Sequence, residues 1–258
     1  MATACFTFDN MGEAAEIGAG STAAPSPNRV HPSLESGFPN LFDLLGRHRI
    51  RATFFIEGWN GEHHPEAVRE IVARGHELGM HGWVHEPWKP LAADAEAALA
   101  TRATEALQRA AGVRPLGFRA PGGERSPHTE QTLLRLGYLY DASLGDGMQP
   151  TVLPSGLAQV PFVWAGVDGA YYLRPDPARP DDVRDRWLAS LAQVAERDGL
   201  FVLICHAFIT GVDDARLGAL GAVIEAAVRD QRISVRTCGE VAMDLLAAPT
   251  GSGTRTPN

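Results

Sequence analysis

The 258-residue chain predicts a β/α architecture, a parallel-stranded barrel in preference to an open doubly wound sheet. Three observations carry that expectation. Short apolar or β-branched runs recur at Ala4–Phe8, Ala52–Ile56, Val160–Trp164, Leu200–Cys205 and Ile233–Val235, with helix-spaced apolar residues between them. About six or seven strand–helix units fill a chain of this length, as either architecture requires. The first strand-to-helix turn lacks G-x-G-x-x-G and no G-x-x-x-x-G-K-[ST] occurs, which removes support from the nucleotide-binding versions of the open sheet.

Helices are expected over Ser33–Arg47, Glu66–Arg74, Ala92–Ala110, Thr129–Leu136, Asp182–Arg197, Asp214–Arg229 and Glu240–Leu246. Pro65 marks a helix start, and Gly75, Gly112 and Gly199 follow helix ends, where a glycine accepts the left-handed cap. Two long irregular stretches, Gly18–His31 and Tyr171–Pro180, are rich in proline and are read as lids or binding loops. No repeat and no linker divides the chain, so residues 1–247 are read as one domain and 248–258 as a disordered tail.

A formal charge of −8 argues against a surface built for nucleic acid or anionic lipid. Cys5, Cys205 and Cys238 follow no metal-binding or redox spacing and are expected to be small buried thiols. Met1–Asn10 has neither the basic start nor the apolar core of a signal peptide, and no run reaches the ~18 apolar residues of a membrane span. A cytoplasmic location is the expectation.

Chemistry-bearing residues fall just after apolar runs, where a β/α barrel places its site. Asp9 and Asn10 follow the first run, and His206 follows Leu200–Cys205. His81 and His85 are four apart, sharing one face if the segment is helical, and neutral imidazoles at that spacing suit zinc. Alone, H-x-x-x-H says little, and His63–His64 in a polar loop is read as exposed. Trp83, Trp88 and Trp164 are core residues or the lining of an apolar pocket.

Five segments occur in order: Thr7-Phe8-Asp9-Asn10, His81-Gly82-Trp83-Val84-His85, Phe118-Arg119-Ala120-Pro121-Gly122, Asp141-Ala142-Ser143 and Leu203-Ile204-Cys205-His206. Together they resemble the motifs of the NodB-homology polysaccharide deacetylases, carbohydrate esterase family 4, from about Ala4 to His206. The resemblance implies a deformed (β/α) barrel, here of about seven strands in a single domain, that hydrolyses an N-acyl group with a metal. One divalent ion is implied, zinc first and cobalt or nickel next, held by His81, His85 and Asn10. Such an ion lowers the pKa of its water toward ~7 and polarises the acyl oxygen. Asp9 then acts as base, Arg119 holds Asp9 with a forked pair of hydrogen bonds, and His206 protonates the leaving amine. Asp141 is the carboxylate expected to raise the His206 pKa.

The chain departs from the family pattern at position 10, where a second aspartate is usual. An amide oxygen brings no charge, so Asp9 or Glu13 is a further candidate third ligand, and Asn10→Asp is expected to tighten metal binding. Thr7–Glu13 and His206–Gly211 also look like the branch that contains peptidoglycan deacetylase-like proteins and metal-free allantoinases. The expected activity is removal of an acyl group, acetyl first, from a small N-acylated, amino-sugar-containing molecule. The alternatives are a cyclic-amide or ureide hydrolase and a catalytically silent carbohydrate-binding homologue. No nucleic-acid or membrane partner is expected; a homo-oligomer is left open, as is the role of residues 18–31.

Overall fold

The computed structural model describes residues 1–21, 30–145 and 149–248. Among these, nine strands form one curled sheet. They are β1 (Ala2–Asp9), β2 (Thr53–Ile56), β3 (Glu77–Met80), β4 (Gly117–Phe118), β5 (Tyr140–Asp141), β6 (Thr151–Val152), β7 (Ala158–Gln159), β8 (Leu200–His206) and β9 (Ile233–Val235). Their order is β6-β7-β5-β4-β3-β2-β1-β8, and every pairing is parallel except β6 with β7.

β8 runs along the whole of β1, from Thr3 opposite Leu200 to Asp9 opposite His206. The other edge of β1 is shared: β9 pairs with Ala2–Ala4 and β2 with Thr7–Asp9. Beyond β7, isolated bridges join Leu144 to Phe162 and Val167 to Ile204, so this stretch carries the curl round to β8. The result is a deformed β/α barrel, as expected, with two more strands than the seven anticipated. β1, β2 and β8 are buried almost throughout because helices cover a parallel sheet, which is why they read as unbroken apolar runs. Phe8 and Phe54 stack at 4.9 Å between ring centres, and Phe38 and Phe42 pack on Phe54.

Most helices lie where their periodicity puts them: Pro65–Ala73, Ala93–Ala111, Thr129–Arg135, Pro180–Glu196, Asp214–Arg229 and Cys238–Ala247. Gly112 caps its helix at φ +74°, and Thr237 with Glu240 makes a capping box on the last one. Two expectations change. The run Val160–Trp164 is not a strand, since Pro161 has no N–H to give a ladder; β7 ends at Gln159 and a 3-10 turn follows at Trp164–Gly166. The helix expected from Ser33 begins as a wider π turn, Ser33–Gly37, before the α-helix Phe38–His48. Gly37 passes directly against the Ala207 carbonyl, which a Cβ there would strike, so no larger residue fits. All three cysteines are buried and free, as expected. No helix among the described residues is long and apolar enough to cross a membrane. Most of the 18–31 insertion, from residue 22 to 29, and the tail from residue 249 lie outside the described residues.

Candidate active site

The parallel strands deliver their C-terminal residues to one end of the barrel. Asp9 closes β1, Glu57 follows β2, His81 follows β3, Arg119 follows β4, Asp141 ends β5 and His206 ends β8. Asp9, His81, His85, Arg119 and His206 line one cleft of about 320 Å³. Its remaining wall is mostly apolar: Phe162, Trp164, Val167, Ala170, Leu173 and Ile204 contribute. Trp164 and Leu173 stand 49% and 65% exposed on its rim, whereas Trp83 and Trp88 are core residues.

Arg119 is buried to 1% exposure and reaches from the end of β4 to β1. Its Nη1 donates to Asp9 Oδ1 at 2.7 Å and to Thr7 Oγ1 at 2.8 Å, while Nε donates to the Ala142 carbonyl at 2.9 Å. Arg119 therefore holds Asp9 as expected, but through one nitrogen, with its second hydrogen fixing β1 at Thr7. The guanidinium also lies 4.2 Å over the Phe55 ring, a further reason for its buried position.

His81 and His85 are not on a helix. The segment is a turn in which Gly82 and His85 both take positive φ, +74° and +61°. Glu86 holds this turn from inside, accepting from the Trp83 amide at 2.9 Å and the Val84 amide at 2.7 Å. The two imidazoles still meet, edge to face at 4.9 Å between ring centres. His81 Nδ1 donates to the Arg119 carbonyl at 2.8 Å, which fixes the tautomer and leaves Nε2 free, 4.0 Å from Asp9 Oδ2. Burial pushes the His81 pKa down to about 3 and lowers that of His85, so both rings are neutral at neutral pH. Two neutral imidazoles with a facing carboxylate are the donor chemistry a divalent ion requires. Among the described residues, however, no three His, Cys, Asp or Glu side chains are gathered closely enough to enclose an ion as they stand.

The third imidazole is oriented by a residue the sequence did not single out. His206 Nδ1 lies 2.5 Å from Asp168 Oδ1, while Asp168 Oδ2 accepts from the His206 amide at 2.8 Å and from Thr210 Oγ1 at 2.7 Å. Burial works against charge on His206, yet the Asp168 carboxylate and its hydrogen bond outweigh this and raise the pKa above the ordinary value. Nε2 is left to face the cleft.

Asp141 is therefore not the partner of His206. Ser143 donates to Asp141 Oδ1 from Oγ at 2.5 Å and from its amide at 3.1 Å, and Arg125 Nη1 stands 3.4 Å from Oδ2. Burial pushes this carboxyl up against those partners. Ser143 Oγ in turn accepts from the Ala120 amide at 2.9 Å, so Asp141 braces the turn that carries Arg119.

Asn10 and Glu13 are also placed differently from expectation. Asn10 does not line the cleft; its Nδ2 donates to Glu57 Oε1 at 2.5 Å. Glu13 Oε2 pairs with His64 Nε2 at 3.0 Å, which leaves His64 half-buried, while His63 is exposed and stacks on Trp59. Glu57 is wholly buried, and burial pushes its pKa up to about 8. A carboxylate directly after the apolar run Ala52–Ile56 was a strand-end signal for Glu57. Asp168, inside an irregular stretch, offered none.

The family model for polysaccharide deacetylases matches residues 4–140. The chain belongs to the polysaccharide deacetylase family. Within it, a peptidoglycan deacetylase of Helicobacter pylori is 36% identical over 122 residues, 46% of this chain and 42% of that protein. The chain thus spans less than half the length of that relative. A solved protein from Mycobacterium smegmatis, assigned as a polysaccharide deacetylase, is 30% identical with a TM-score of 0.87, covering 100% of this family member and 94% of that chain. An allantoinase superposes with a TM-score of 0.81 over 97% of this chain and 92% of its own, at 18% identity, which shows a shared fold.

Proposed function

We propose that the protein is an amide hydrolase that removes an acyl group, acetyl first, from the nitrogen of a small amino-sugar-type compound. The observation that carries the reading is the meeting, in one cleft, of Asp9 held by Arg119, a neutral histidine pair, and His206 held by Asp168. His81 and His85 would hold a divalent ion, zinc first, which when bound polarises an acyl oxygen and makes water acidic.

Asp9 Oδ2, free of the Arg119 contact, takes a proton from the attacking water. Arg119 keeps the Asp9 carboxyl aimed through its bond to Oδ1. His206, whose protonated form Asp168 favours, donates from Nε2 to the leaving nitrogen, so a weakly basic amide nitrogen departs as an amine. The apolar wall at Trp164 and Leu173 takes the substrate face away from these groups, and a cleft of this size suits a compact substrate.

The test is metal content by elemental analysis of untagged protein, with acetate release from N,N′-diacetylchitobiose. About one zinc per chain, lost together with turnover in His81→Ala and His85→Ala, supports the reading. Turnover that persists in either variant without metal refutes it. Asn10 turned onto Glu57 favours a second reading, hydrolysis of a cyclic amide or ureide without metal. Turnover of such a ring by metal-free protein would establish it.

A further inference from the structure

Beyond Asp9, the ladder between β1 and β2 is closed by side chains. The last backbone contact, Asn10 N–H to the Phe55 carbonyl, is long at 3.3 Å. Past it, the Glu57 carboxyl accepts three N–H groups: Asn10 Nδ2 on Oε1 at 2.5 Å, and on Oε2 the Met11 amide at 3.1 Å and Asn60 Nδ2 at 3.0 Å. Asn10 itself has φ +65°, a conformation that Asn tolerates better than most residues. Both members of the pair are buried, Glu57 completely.

We propose that Asn10 and Glu57 act as one positioning unit, which sets the end of β1 and so the aim of Asp9. The amide at position 10 is required by the carboxyl at position 57 and is not a weakened metal ligand. Its N–H is committed to Glu57, and neither residue lines the cleft that Asp9 enters. A carboxyl at position 10 has no N–H to give Glu57 Oε1, and it sets two carboxyl oxygens face to face at hydrogen-bond distance where water cannot intervene. Exchanging the two functions restores the match. In the double variant that joins Asn10→Asp to Glu57→Gln, the introduced amide nitrogen takes the place of Oε1 and donates to the introduced carboxylate. The amide oxygen replaces Oε2 and keeps the Met11 and Asn60 bonds.

The experiment compares wild type, Asn10→Asp, Glu57→Gln and the double variant, all as the full chain. Melting temperature is followed by circular dichroism with chelator present. Asn10→Asp is expected to lower it by about 4–8 °C with Glu57 in place, and by less than about 2 °C in the Glu57→Gln background. An equal loss in both backgrounds, or no loss in either, overturns the pairing. Kinetics separate positioning from mere support, and only this arm rests on the hydrolytic reading. On N,N′-diacetylchitobiose, Asn10→Asp should lose tenfold or more in kcat with KM within twofold, and the double variant should recover it. An unchanged kcat in Asn10→Asp overturns the positioning role. If wild type releases no acetate, the hydrolytic reading fails, while the melting comparison still decides the pairing.

Discussion

Asp168→Asn changes one charge and no shape, and the surrounding bonds determine its effect. In the native site Oδ2 takes two donors, the His206 amide and Thr210 Oγ1, and Oδ1 takes His206 Nδ1. An asparagine has one acceptor oxygen. Two donors outweigh one, so the amide oxygen replaces Oδ2 and the NH2 faces His206 Nδ1. That nitrogen must then give up its proton and accept, and burial, no longer opposed by Asp168, the strongest of the raising influences, disfavours the imidazolium. Loss of a general acid costs about 10²–10⁴-fold, or about 3–5 kcal/mol in the barrier. The assay is kcat/KM for acetate release from pH 5 to 9. The basic limb should move to lower pH, with kcat lost and KM little changed. Stability shifts with a matching sign. The raised native pKa of His206 adds stability that is full below the unfolded value near 6.5 and is lost as pH rises through the native one. The melting gap between wild type and variant is therefore widest below about pH 6.5. A variant within threefold of wild type, with an unmoved basic limb, would refute Asp168 as the residue that arms His206.

Arg119→Met leaves the Asp9 carboxylate buried without its cation, and a loss of about 3–5 kcal/mol in urea unfolding is expected, with activity abolished. His76 is held down to about 4, by burial first and then by Arg74 and Arg51, so the unfolded chain binds its proton sooner. Wild type should therefore lose stability as pH falls from about 6.5 to 4, and His76→Gln should show a shallower fall by calorimetry. Trp164→Ala, on the exposed rim, should raise KM about three- to tenfold and leave the melting temperature within about 2 °C; an unchanged KM removes this ring from the substrate surface.

The long helices were legible because their apolar residues repeat over many turns, and β1, β2 and β8 because burial on both faces makes a continuous run. β4, β5, β6 and β7 were not, since at two residues each they have no period to read. Asp9, His81, His85, Arg119 and His206 were legible as residues following strands or as members of ordered segments, and the fold brings all five to one cleft. Their partners were another matter. Asp141 and Asp168 are both buried carboxylates, and chain order favours neither as the mate of His206. The bridge from Val167 to Ile204 places Asp168 beside His206, while Ser143 and Arg125 engage Asp141 elsewhere. Asn10 read as a ligand because a side chain's direction after a strand is set by backbone φ and by what lies opposite. Here both turn it to Glu57, 47 residues away. Sequence determined which groups reach the end of the barrel, because strand periodicity is local; tertiary structure decided which groups face one another, because hydrogen-bond partners are chosen by proximity in space.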